Sequence, residues 1–479
     1  MQASKFNVRV PLAAHDAVFL MNTLTDAQLV VPTEVTSLLD RFVGSEGDPS
    51  SASTWTEDER EALNLLSEHG FLVEDHARER ETLERFFDDV REDTREMRVT
   101  ILTTLQCNFA CDYCFQGDHA GLDKNLDKMS LDTARQVVEW VTGRLDEIRP
   151  DRFAITFFGG EPLLNLPVMY ALADELWAAC QARQVRMHVD IITNGLLLTP
   201  EIVARLKPYG LSGIKVTLDG DQATHDRMRP LRGGQPTFDR IIENIRRVAD
   251  DCPITIGGNF DESSVDSYPA LLDFLGAQAF ADRLAKVSFK PIIKTTPSPA
   301  SGIIPLTVVG DGGAALGGTC MSSAGSGSRP ASSPCDMCHF VEEKTAFLRN
   351  ETERRGFPTV DGVHMGPCEI HRRHAYTLGP DGSLYACPGF TGEQHLSTGH
   401  IDGRTDGRRD DASARFDRLA PWKACGDCSF IPVCGGGCSV ASHAEQGDMM
   451  APSCHKPSFE TALTGLAMKA VTPTQETCA

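Results

Sequence analysis

Short apolar runs alternate with amphipathic stretches through the middle of the chain. Six such runs occupy residues 99–102, 153–158, 188–192, 214–218, 254–256 and 287–289. Between them, residues 134–145, 168–182 and 238–248 repeat their apolar positions every three to four residues. The short runs predict strands and the longer period predicts helices. Alternating strands and helices build a parallel sheet with right-handed crossovers, so we expect an α/β fold with a partial (β/α)6, TIM-like barrel.

The strand-like runs end in polar or glycine-rich residues. The second run leads into Gly159-Gly160-Glu161-Pro162, and the next two lead into Thr193-Asn194-Gly195 and Asp219-Gly220. A β/α barrel carries its chemistry at the carboxyl ends of its strands. We therefore expect the functional site at this edge of the sheet.

The first 95 residues show a different pattern. Residues 7–11, 17–20 and 28–31 predict short strands, and an apolar face on Val35, Leu38, Leu39 and Phe42 predicts a helix. Thr56 and Glu59 form a capping box for a second helix, which ends at Gly70 before a short strand at 71–73. This order predicts a small winged-helix-like α+β domain. A further helix, with its apolar face on Leu83, Phe86, Phe87 and Val90, would link it to the barrel.

Composition narrows the class of protein. A length of 479 residues predicts about three domains. The formal net charge of −21 argues against nucleic acid as a partner, since phosphates are held by Lys and Arg. The chain lacks the roughly 18 consecutive apolar residues of a membrane span, and its first ten residues lack the apolar core of a signal peptide. We expect a cytoplasmic protein whose cysteines bind metal rather than form disulfides.

Three cysteines follow the first barrel strand. Cys107, Cys111 and Cys114 stand in TLQCNFACDYCF with the spacing C-x3-C-x2-C. Three thiolates bind three irons of a [4Fe-4S] cube and leave the fourth iron open, whereas an electron-transfer cluster usually takes four cysteines. A zinc knuckle or a set of buried thiols is the alternative, but three cysteines without a nearby fourth suit structural zinc poorly.

This triplet, followed by the Gly159-Gly160-Glu161-Pro162 turn, resembles the signature of the radical S-adenosylmethionine (SAM) enzymes. The resemblance implies that the open iron chelates SAM and that electron transfer cleaves SAM to a 5'-deoxyadenosyl radical. It also implies that the glycines let the backbone approach SAM closely. The residues expected to contact SAM are Tyr113, Gly159, Gly160, Glu161, Asn194, Thr217, Asp219 and Arg229.

The C-terminal cysteines have a second characteristic spacing. Cys368 is followed by Gly382 and Cys387, then by the run Cys425, Cys428, Cys434 and Cys438, and finally by Cys454. This array resembles the SPASM domain, which carries two auxiliary [4Fe-4S] clusters, for a total of three cubes with the SAM-binding one. The resemblance implies that Cys368, Cys387 and Cys438 bind one auxiliary cluster and that Cys425, Cys428, Cys434 and Cys454 bind the other. Two zinc sites are the alternative.

The first auxiliary cluster lacks a fourth ligand in this array. Sulfatase-maturing relatives supply a cysteine shortly before it, and residues 360–367 contain none. The ligand would come from Cys335 or Cys338, from Cys320, or from a histidine such as His364. Otherwise one iron stays open for substrate. The cysteines lie in or beside a Gly/Ser/Pro-rich insert.

Four segments follow from these patterns. Residues 1–95 would form the N-terminal domain and linker helix, and residues 96–309 the radical SAM barrel. Residues 310–345 would form the insert and residues 346–479 the SPASM domain. The N-terminal domain resembles the peptide-recognition domain of ribosomal-peptide maturases, which adds a leader peptide as a strand to an exposed edge. A structural cap on the barrel is the alternative.

The resemblance implies an oxidoreductase-type enzyme that modifies a ribosomally made precursor peptide or protein, leaving a thioether, carbon–carbon or related crosslink. Its electrons would come from a reductase such as flavodoxin or ferredoxin. An anaerobic sulfatase-maturing enzyme is an alternative, but such enzymes place an Asp base directly after the cysteine equivalent to Cys387, and Pro388 stands here. A non-catalytic iron–sulfur electron carrier is a further alternative, although it would leave the three-cysteine signature without a purpose.

Overall fold

The computed structural model describes residues 1–43, 55–114, 128–292, 336–360, 363, 366–404, 407–454 and 456–471. The predictions about Cys320, Cys335 and His364 lie outside these residues, and so does the side chain of Cys338. None of the helices in these ranges is both long and apolar enough to cross a membrane.

A three-stranded antiparallel sheet with two helices forms the N-terminal part. Its elements are β1 (Gln2–Ala3), β2 (Asn7–Leu12), β3 (Ala17–Asn22), β4 (Gln28–Pro32), α1 (Thr33–Asp40), α2 (Glu57–Glu68), β5 (Leu72–Val73) and α3 (His76–Glu92). The sheet order is β2-β3-β4, and the predicted capping box on Thr56 and Glu59 is present. The strand β5 pairs with β1. The sequence pattern predicted β5 but not β1.

The central part alternates strands and helices as predicted. Its elements are β6 (Glu96–Leu102), α4 (Leu131–Ile148), β7 (Arg152–Phe158), α5 (Leu166–Ala182), β8 (Arg186–Thr193), α6 (Pro200–Leu206), β9 (Leu211–Thr217), α7 (Gln222–Met228), α8 (Phe238–Val248), β10 (Ile254–Phe260), α9 (Tyr268–Gly276) and β11 (Leu284–Pro291). The strands β6 to β11 are parallel neighbours in chain order. No closure between the two edges of this sheet is found among the described strands, in agreement with a partial barrel.

The two faces of this sheet differ in chemistry. Val99, Ile155, Val189, Val216 and Ile256 are buried against apolar side chains of the helices. The positions between them point to the opposite face, because side chains alternate along a strand. We call this opposite face the inner face. It is largely polar and carries residues such as Thr100, Thr156 and Lys215.

The C-terminal part consists of short elements joined by long connections. They are α10 (Asp336–Arg354), β12 (Ala375–Leu378), β13 (Ser383–Tyr385), β14 (Gly399–His400), α11 (Gly407–Asp417), α12 (Ile431–Cys434), α13 (Ser439–Gln446) and α14 (Lys456–Val471). The strand β12 extends the central sheet by pairing parallel to β6, with Ala375 opposite Arg98. The central and C-terminal parts therefore share one nine-stranded sheet.

The N-terminal sheet is packed on both faces. On one face, Leu20 and Val31 contact residues of its own helices. On the other face, Phe19 and Met21 are buried together with Phe430 and Leu463 of the C-terminal part. A further contact joins α3 to the C-terminal part, where the rings of Phe87 and Trp422 stack at 4.5 Å. The N-terminal part therefore packs against the residues that surround the C-terminal cysteines.

Candidate cofactor-binding edge and cysteine-rich region

The loop that carries the first three cysteines is held on both sides. We call residues 103–114 the cluster loop; it follows β6 directly. On one side, the N–H groups of Gly160 and Glu161 donate to the carbonyls of Thr104 and Gln106 at 2.9 and 2.8 Å. On the other side, Phe109 pairs in antiparallel fashion with Leu231. The loop is therefore clamped between the turn after β7 and the segment after α7.

The two glycines after β7 are required by this clamp. A Cβ on Gly159 would lie 2.2 Å from the Thr104 carbonyl oxygen, and Gly159 has a φ of +131°. A Cβ on Gly160 would lie 2.2 Å from the Gln106 carbonyl oxygen. A larger residue would push the cluster loop away. The close approach visible here is to the cluster loop itself, and the predicted approach to SAM stays a prediction.

The three thiols of the cluster loop lie within electrostatic range of one another. Burial, together with the charges of Glu161 and Cys111, raises the pKa of Cys107 to about 12. Burial, together with the charge of Cys114, raises the pKa of Cys111 to about 11. Thiols in this environment stay protonated unless a cation compensates the thiolate charge. Iron provides this compensation for its cysteine ligands. The triplet is therefore suited to a metal cluster.

A buried polar network lies beside the triplet. The Tyr113 hydroxyl donates to the Asp219 carboxylate, and Arg229 donates to both, with 3.3 Å between its Nη1 and Asp219 Oδ2. The backbone N–H of Asn259, at the end of β10, donates to the other Asp219 oxygen at 2.6 Å. Burial raises the pKa of Tyr113, which keeps its hydroxyl protonated as a donor. The structure thus brings together three of the predicted SAM contacts.

Glu161 and Asn194 belong to a second network. The Glu161 carboxylate is fully buried and accepts hydrogen bonds from the Thr193 hydroxyl at 2.7 Å and from the Asn194 N–H at 2.8 Å. The Asn194 side chain in turn donates to the Asn108 side-chain oxygen at 2.7 Å. Burial raises the pKa of Glu161, and these hydrogen bonds partly offset that rise. Glu161 therefore links the ends of β7 and β8. A SAM molecule that contacts Glu161, as predicted, would have to bind carboxylate oxygens that already accept these hydrogen bonds.

Thr217 lies apart from both networks. It ends β9 on the inner face, opposite Gly257 of β10. Three residues of the site were absent from the predicted set: Asn108, His225 and Asn259. His225 Nδ1 accepts the Asp219 N–H at 3.1 Å, and burial lowers the pKa of His225, so that its proton sits on Nε2. Only Asn259 had a sequence signal, since it ends a strand-like run beside two glycines.

The C-terminal cysteines form two sets. Burial, together with the charges of Cys368 and Cys438, raises the pKa of Cys387 to about 12. Burial likewise raises the pKa of Cys434 to about 11, and its charged neighbours are Cys425, Cys454 and Cys428. These two sets have the same members as the two predicted ligand groups.

Three glycines between Cys434 and Cys438 separate the sets. Gly435, Gly436 and Gly437 all have positive φ, a conformation that side chains other than glycine rarely adopt. A Cβ on Gly437 would lie 1.8 Å from the carbonyl oxygen of Ser453, the residue before Cys454. The turn therefore packs closely on the backbone and directs Cys434 and Cys438 to different neighbours.

Buried polar atoms without a partner mark both sites. In the described part of the chain, these side-chain atoms belong to Asn108, His225 and Arg229 beside the cluster loop, and to His371, His374, Thr391, Ser439 and Ser442 in the cysteine-rich region. We define the cysteine-rich region as residues 366–454. A buried polar atom without a partner costs about 1–3 kcal/mol. Their confinement to these two places fits bound groups that supply partners there.

No three His, Cys, Asp or Glu side chains within the described ranges converge closely enough to hold one metal ion. The thiols of each set are neighbours, an arrangement that suits a four-iron cube, because each of its cysteines binds a different iron.

An open parallel sheet with a thiol triplet at its carboxyl edge defines a β/α enzyme-like domain with a metal-cluster site. Comparison with known proteins names it: residues 101–262 match the Radical SAM superfamily, so this part of the chain is a radical SAM domain. The cysteine-rich region that follows has the cysteine spacing of SPASM-type maturases.

Individual relatives are similar over parts of their length. GTP 3',8-cyclase of Synechococcus sp. (strain WH7803) is 34% identical over 148 residues, which are 30% of this chain and 39% of the cyclase. The radical SAM cyclopropyl synthase TigE of Paramaledivibacter caminithermalis is 26% identical over 198 residues, 38% of this chain and 40% of TigE. The chain thus spans about two fifths of these curated relatives.

A solved structure extends the likeness of the fold beyond this domain. The structure of native anSMEcpe with bound AdoMet has a TM-score of 0.55 and 16% sequence identity. The aligned residues make up 78% of this chain and 99% of that protein. At this identity the similarity concerns the fold.

Proposed function

We propose that the protein is a radical SAM/SPASM maturase that modifies a ribosomally made peptide or protein. The observation that carries this proposal is the cluster loop, which places three cysteines at the carboxyl edge of the sheet beside a preformed polar network. Three cysteines leave one iron of a cube free, which suits a SAM ligand rather than simple electron transfer.

When bound, the cluster and SAM supply an electron and a 5'-deoxyadenosyl radical that removes hydrogen from an unactivated carbon. The chain's own residues hold the cofactor. Cys107, Cys111 and Cys114 would hold the cluster, and Tyr113, Asn194, Thr217, Asp219 and Arg229 would contact SAM. The Arg229 charge suits a carboxylate and the Asp219 charge suits an ammonium or a hydroxyl group.

The C-terminal thiol sets would hold two further cubes. Cys368, Cys387 and Cys438 would bind one auxiliary cluster, with Cys335 or Cys338 as its fourth ligand, and Cys425, Cys428, Cys434 and Cys454 would bind the other. These clusters would take up the product electron or hold the substrate. A flavodoxin or ferredoxin in the cytoplasm would supply electrons.

The edge strand β4 supports a peptide substrate. Among the described elements β4 pairs only with β3, so its other edge is open. The Ala27 carbonyl faces β3, where it accepts the Asn22 N–H at 2.9 Å. Since backbone groups alternate in direction along a strand, Val30 directs its N–H and carbonyl groups to the open edge. The Val30 side chain is also 43% exposed. A leader peptide would add here as a strand.

The opposite edge of the sheet is less suited to strand addition. The strand β2 contains Pro11, which has no N–H to donate. It also packs beside α14, since Val8 and Leu12 share a buried cluster with Ala462 and Leu463. We therefore assign the leader peptide to β4.

Sulfatase maturation is less well supported than peptide crosslinking. The residue after Cys387 is Pro388, which begins a short 3-10 helix, so no carboxylate stands where the sulfatase-maturing enzymes have their base. An electron carrier would not need the open cluster position.

The test of the proposed function uses candidate precursor peptides, chosen from short open reading frames beside this gene. The anaerobically reconstituted protein, with SAM and a reductant, should change the precursor's mass by loss of hydrogen, as expected for a crosslink. Tandem mass spectrometry would locate the bond. An unmodified precursor, together with formylglycine in a co-encoded sulfatase, would replace this proposal by the sulfatase alternative.

A further inference from the structure

Three lysines share the inner face of the sheet at its β9–β11 end. Lys215 of β9 lies opposite Thr255 of β10, and Thr255 lies opposite Lys286 of β11. Lys290 lies further along β11, opposite Asn259. All three occupy the side-chain positions that alternate with the buried, helix-facing residues Val216, Ile256 and Val287. This end of the inner face is therefore cationic.

The Lys215 side chain is directed toward the carboxyl edge of the sheet. A Cβ on Gly257 would lie 2.4 Å from Lys215 Cε and 3.3 Å from its Nζ. Gly257 pairs with Thr217, two residues nearer that edge than Lys215 itself. The glycine thus leaves the space through which the ammonium group extends below the SAM-binding edge.

The lysines have no acidic counterpart in the described part of the chain. No ion pair or hydrogen bond of Lys215, Lys286 or Lys290 side chains is found there. The nearest inner-face carboxylates are engaged elsewhere, since Asp190 accepts from Ser212 at 3.0 Å and Asp219 binds Tyr113 and Arg229. Burial, together with the charges of Lys290 and Lys286, lowers the pKa of Lys215 to about 8. An anion would relieve this repulsion.

We propose that Lys215, Lys286 and Lys290 bind a carboxylate of the substrate and so position an acidic residue or the C-terminus of the peptide below the SAM-binding edge. This inference rests on the proposed function, because it assumes a peptide in the space along the inner face. It adds the substrate class: a peptide whose modified segment carries a carboxylate.

The test measures how fast the Lys215 amine of the reconstituted holoenzyme with SAM reacts with an acylating reagent, read by peptide mass spectrometry. N-acetylglutamic acid α-amide supplies a side-chain carboxylate and N-acetylglycylglycine a C-terminal one. N-acetylglutamine amide is the neutral control. Lys207, which pairs with Asp251 on the outer surface, is the internal control lysine.

Either carboxylate should slow the acylation of Lys215 several-fold. The neutral amide should not slow it, and none of the three compounds should change the acylation rate of Lys207. Protection by the first compound assigns a side chain, and protection by the second assigns the C-terminus. Gly257→Ala should weaken the protection, because its methyl group displaces the Lys215 side chain. Equal rates with and without carboxylate, or equal protection of Lys207, overturn the proposal.

This result is separable from that of the proposed function, since the labelling needs no turnover. If a carboxylate protects Lys215 but the precursor stays unmodified, the carboxylate site stands and the maturase proposal fails. If the precursor is modified while neither carboxylate protects Lys215, the maturase proposal stands and this site is withdrawn.

Discussion

The carboxyl edge of the central sheet, with its cluster loop, and the cysteine-rich region both present cysteines, but they are built differently. The cluster loop is attached to a sheet whose core contains large apolar side chains such as Phe153 and Phe157. Its flanking network already joins Asp219 to Arg229 and to the backbone of β10, although Arg229 Nε has no partner there. The cysteine-rich region has strands of two to four residues, and its turn at Gly435 to Gly437 has three left-handed residues in succession.

Among the described residues, unpartnered buried polar atoms occur beside both regions, but more of them lie in the cysteine-rich region. Both ring nitrogens of His371 lack a partner although the side chain is only 3% exposed, and Ser439 and Ser442 are buried in the same region. Small domains with little core need metal sites or crosslinks for stability. We infer that the barrel folds from its own apolar core, whereas the cysteine-rich region depends on its clusters.

Removal of iron should separate the two regions most strongly. Anaerobic chelation should abolish the protection of backbone amides from hydrogen exchange across residues 366–454, because metal binding is coupled to folding there. The strands β6 to β10 should keep theirs. Hydrogen exchange read by mass spectrometry checks both regions in one sample, and equal loss of protection in the barrel would contradict the difference.

Replacement of the cysteines by Ala should sharpen this result. The reconstituted parent protein should hold about twelve irons, from three four-iron cubes. Changing Cys107, Cys111 and Cys114 together should remove about four of them and leave the thermal unfolding of the cysteine-rich region unchanged. Changing Cys425, Cys428 and Cys434 together should also remove about four but should destabilise that region. Iron analysis and calorimetry distinguish the outcomes; about four irons in the parent, or zinc in the C-terminal sites, would refute the SPASM assignment.

The Arg229 network should stabilise the barrel edge without any metal. Arg229→Met leaves the buried Asp219 carboxylate without its cation, which costs about 3–5 kcal/mol of unfolding free energy. Denaturant unfolding of the iron-free protein measures this loss. The control is Arg246→Met, whose exposed pair with Glu243 should contribute less than about 1 kcal/mol. Equal effects would show that the edge is not organised before the cofactor binds.

The open edge of β4 should contribute to precursor binding without affecting either cluster region. Val30→Pro removes an N–H that points away from β3, so the sheet stays intact while one hydrogen bond to an added strand is lost. Such a bond contributes about 0.5–1.5 kcal/mol, or about 2- to 10-fold in Kd. Val30→Thr keeps the N–H and is the matched control. Unchanged precursor affinity in Val30→Pro would reduce the N-terminal part to a structural cap.

The smallest effect should come from a surface ion pair between the N-terminal part and the cysteine-rich region. Lys5 and Asp427 lie 2.8 Å apart but are well exposed. Asp427→Asn should therefore change the unfolding free energy by less than about 1 kcal/mol, since the apolar contact of Phe87 with Trp422 stabilises this junction. A larger loss of stability in thermal unfolding would show that this ion pair, rather than the apolar contact, stabilises the junction.

Periodicity predicted the barrel well because its elements are long and regular. The helix at Phe238–Val248 has the predicted bounds, and each predicted barrel strand is present with ends that differ by a few residues from the prediction. Elements that depend on distant partners were missed: β1 exists because β5 pairs with it, and β12 exists because β6 offers an edge. Their local sequences carry too little pattern to reveal these partners.

The site followed the same rule. The resemblance to the SPASM domain grouped the C-terminal thiols into two sets, and the thiols that raise one another's pKa in the structure have the same grouping. Two partners of Glu161, by contrast, are Thr193 and Asn194, which lie 32 and 33 residues away and could not be inferred from the GGEP motif. The inner-face lysines were also missed, because single lysines in strands carry no motif. The sequence pattern also did not predict that the N-terminal sheet packs on Phe430 and Leu463 of the C-terminal part.

The most direct test of the central claim is reductive cleavage of SAM by the reconstituted protein. The account predicts that dithionite-reduced protein converts SAM to 5'-deoxyadenosine and methionine. The variant with Cys107, Cys111 and Cys114 all changed to Ala should form neither product, although its C-terminal clusters remain. Liquid chromatography with mass detection measures both products. Absence of 5'-deoxyadenosine from the iron-replete parent protein, or equal amounts from the triple variant, would contradict the account.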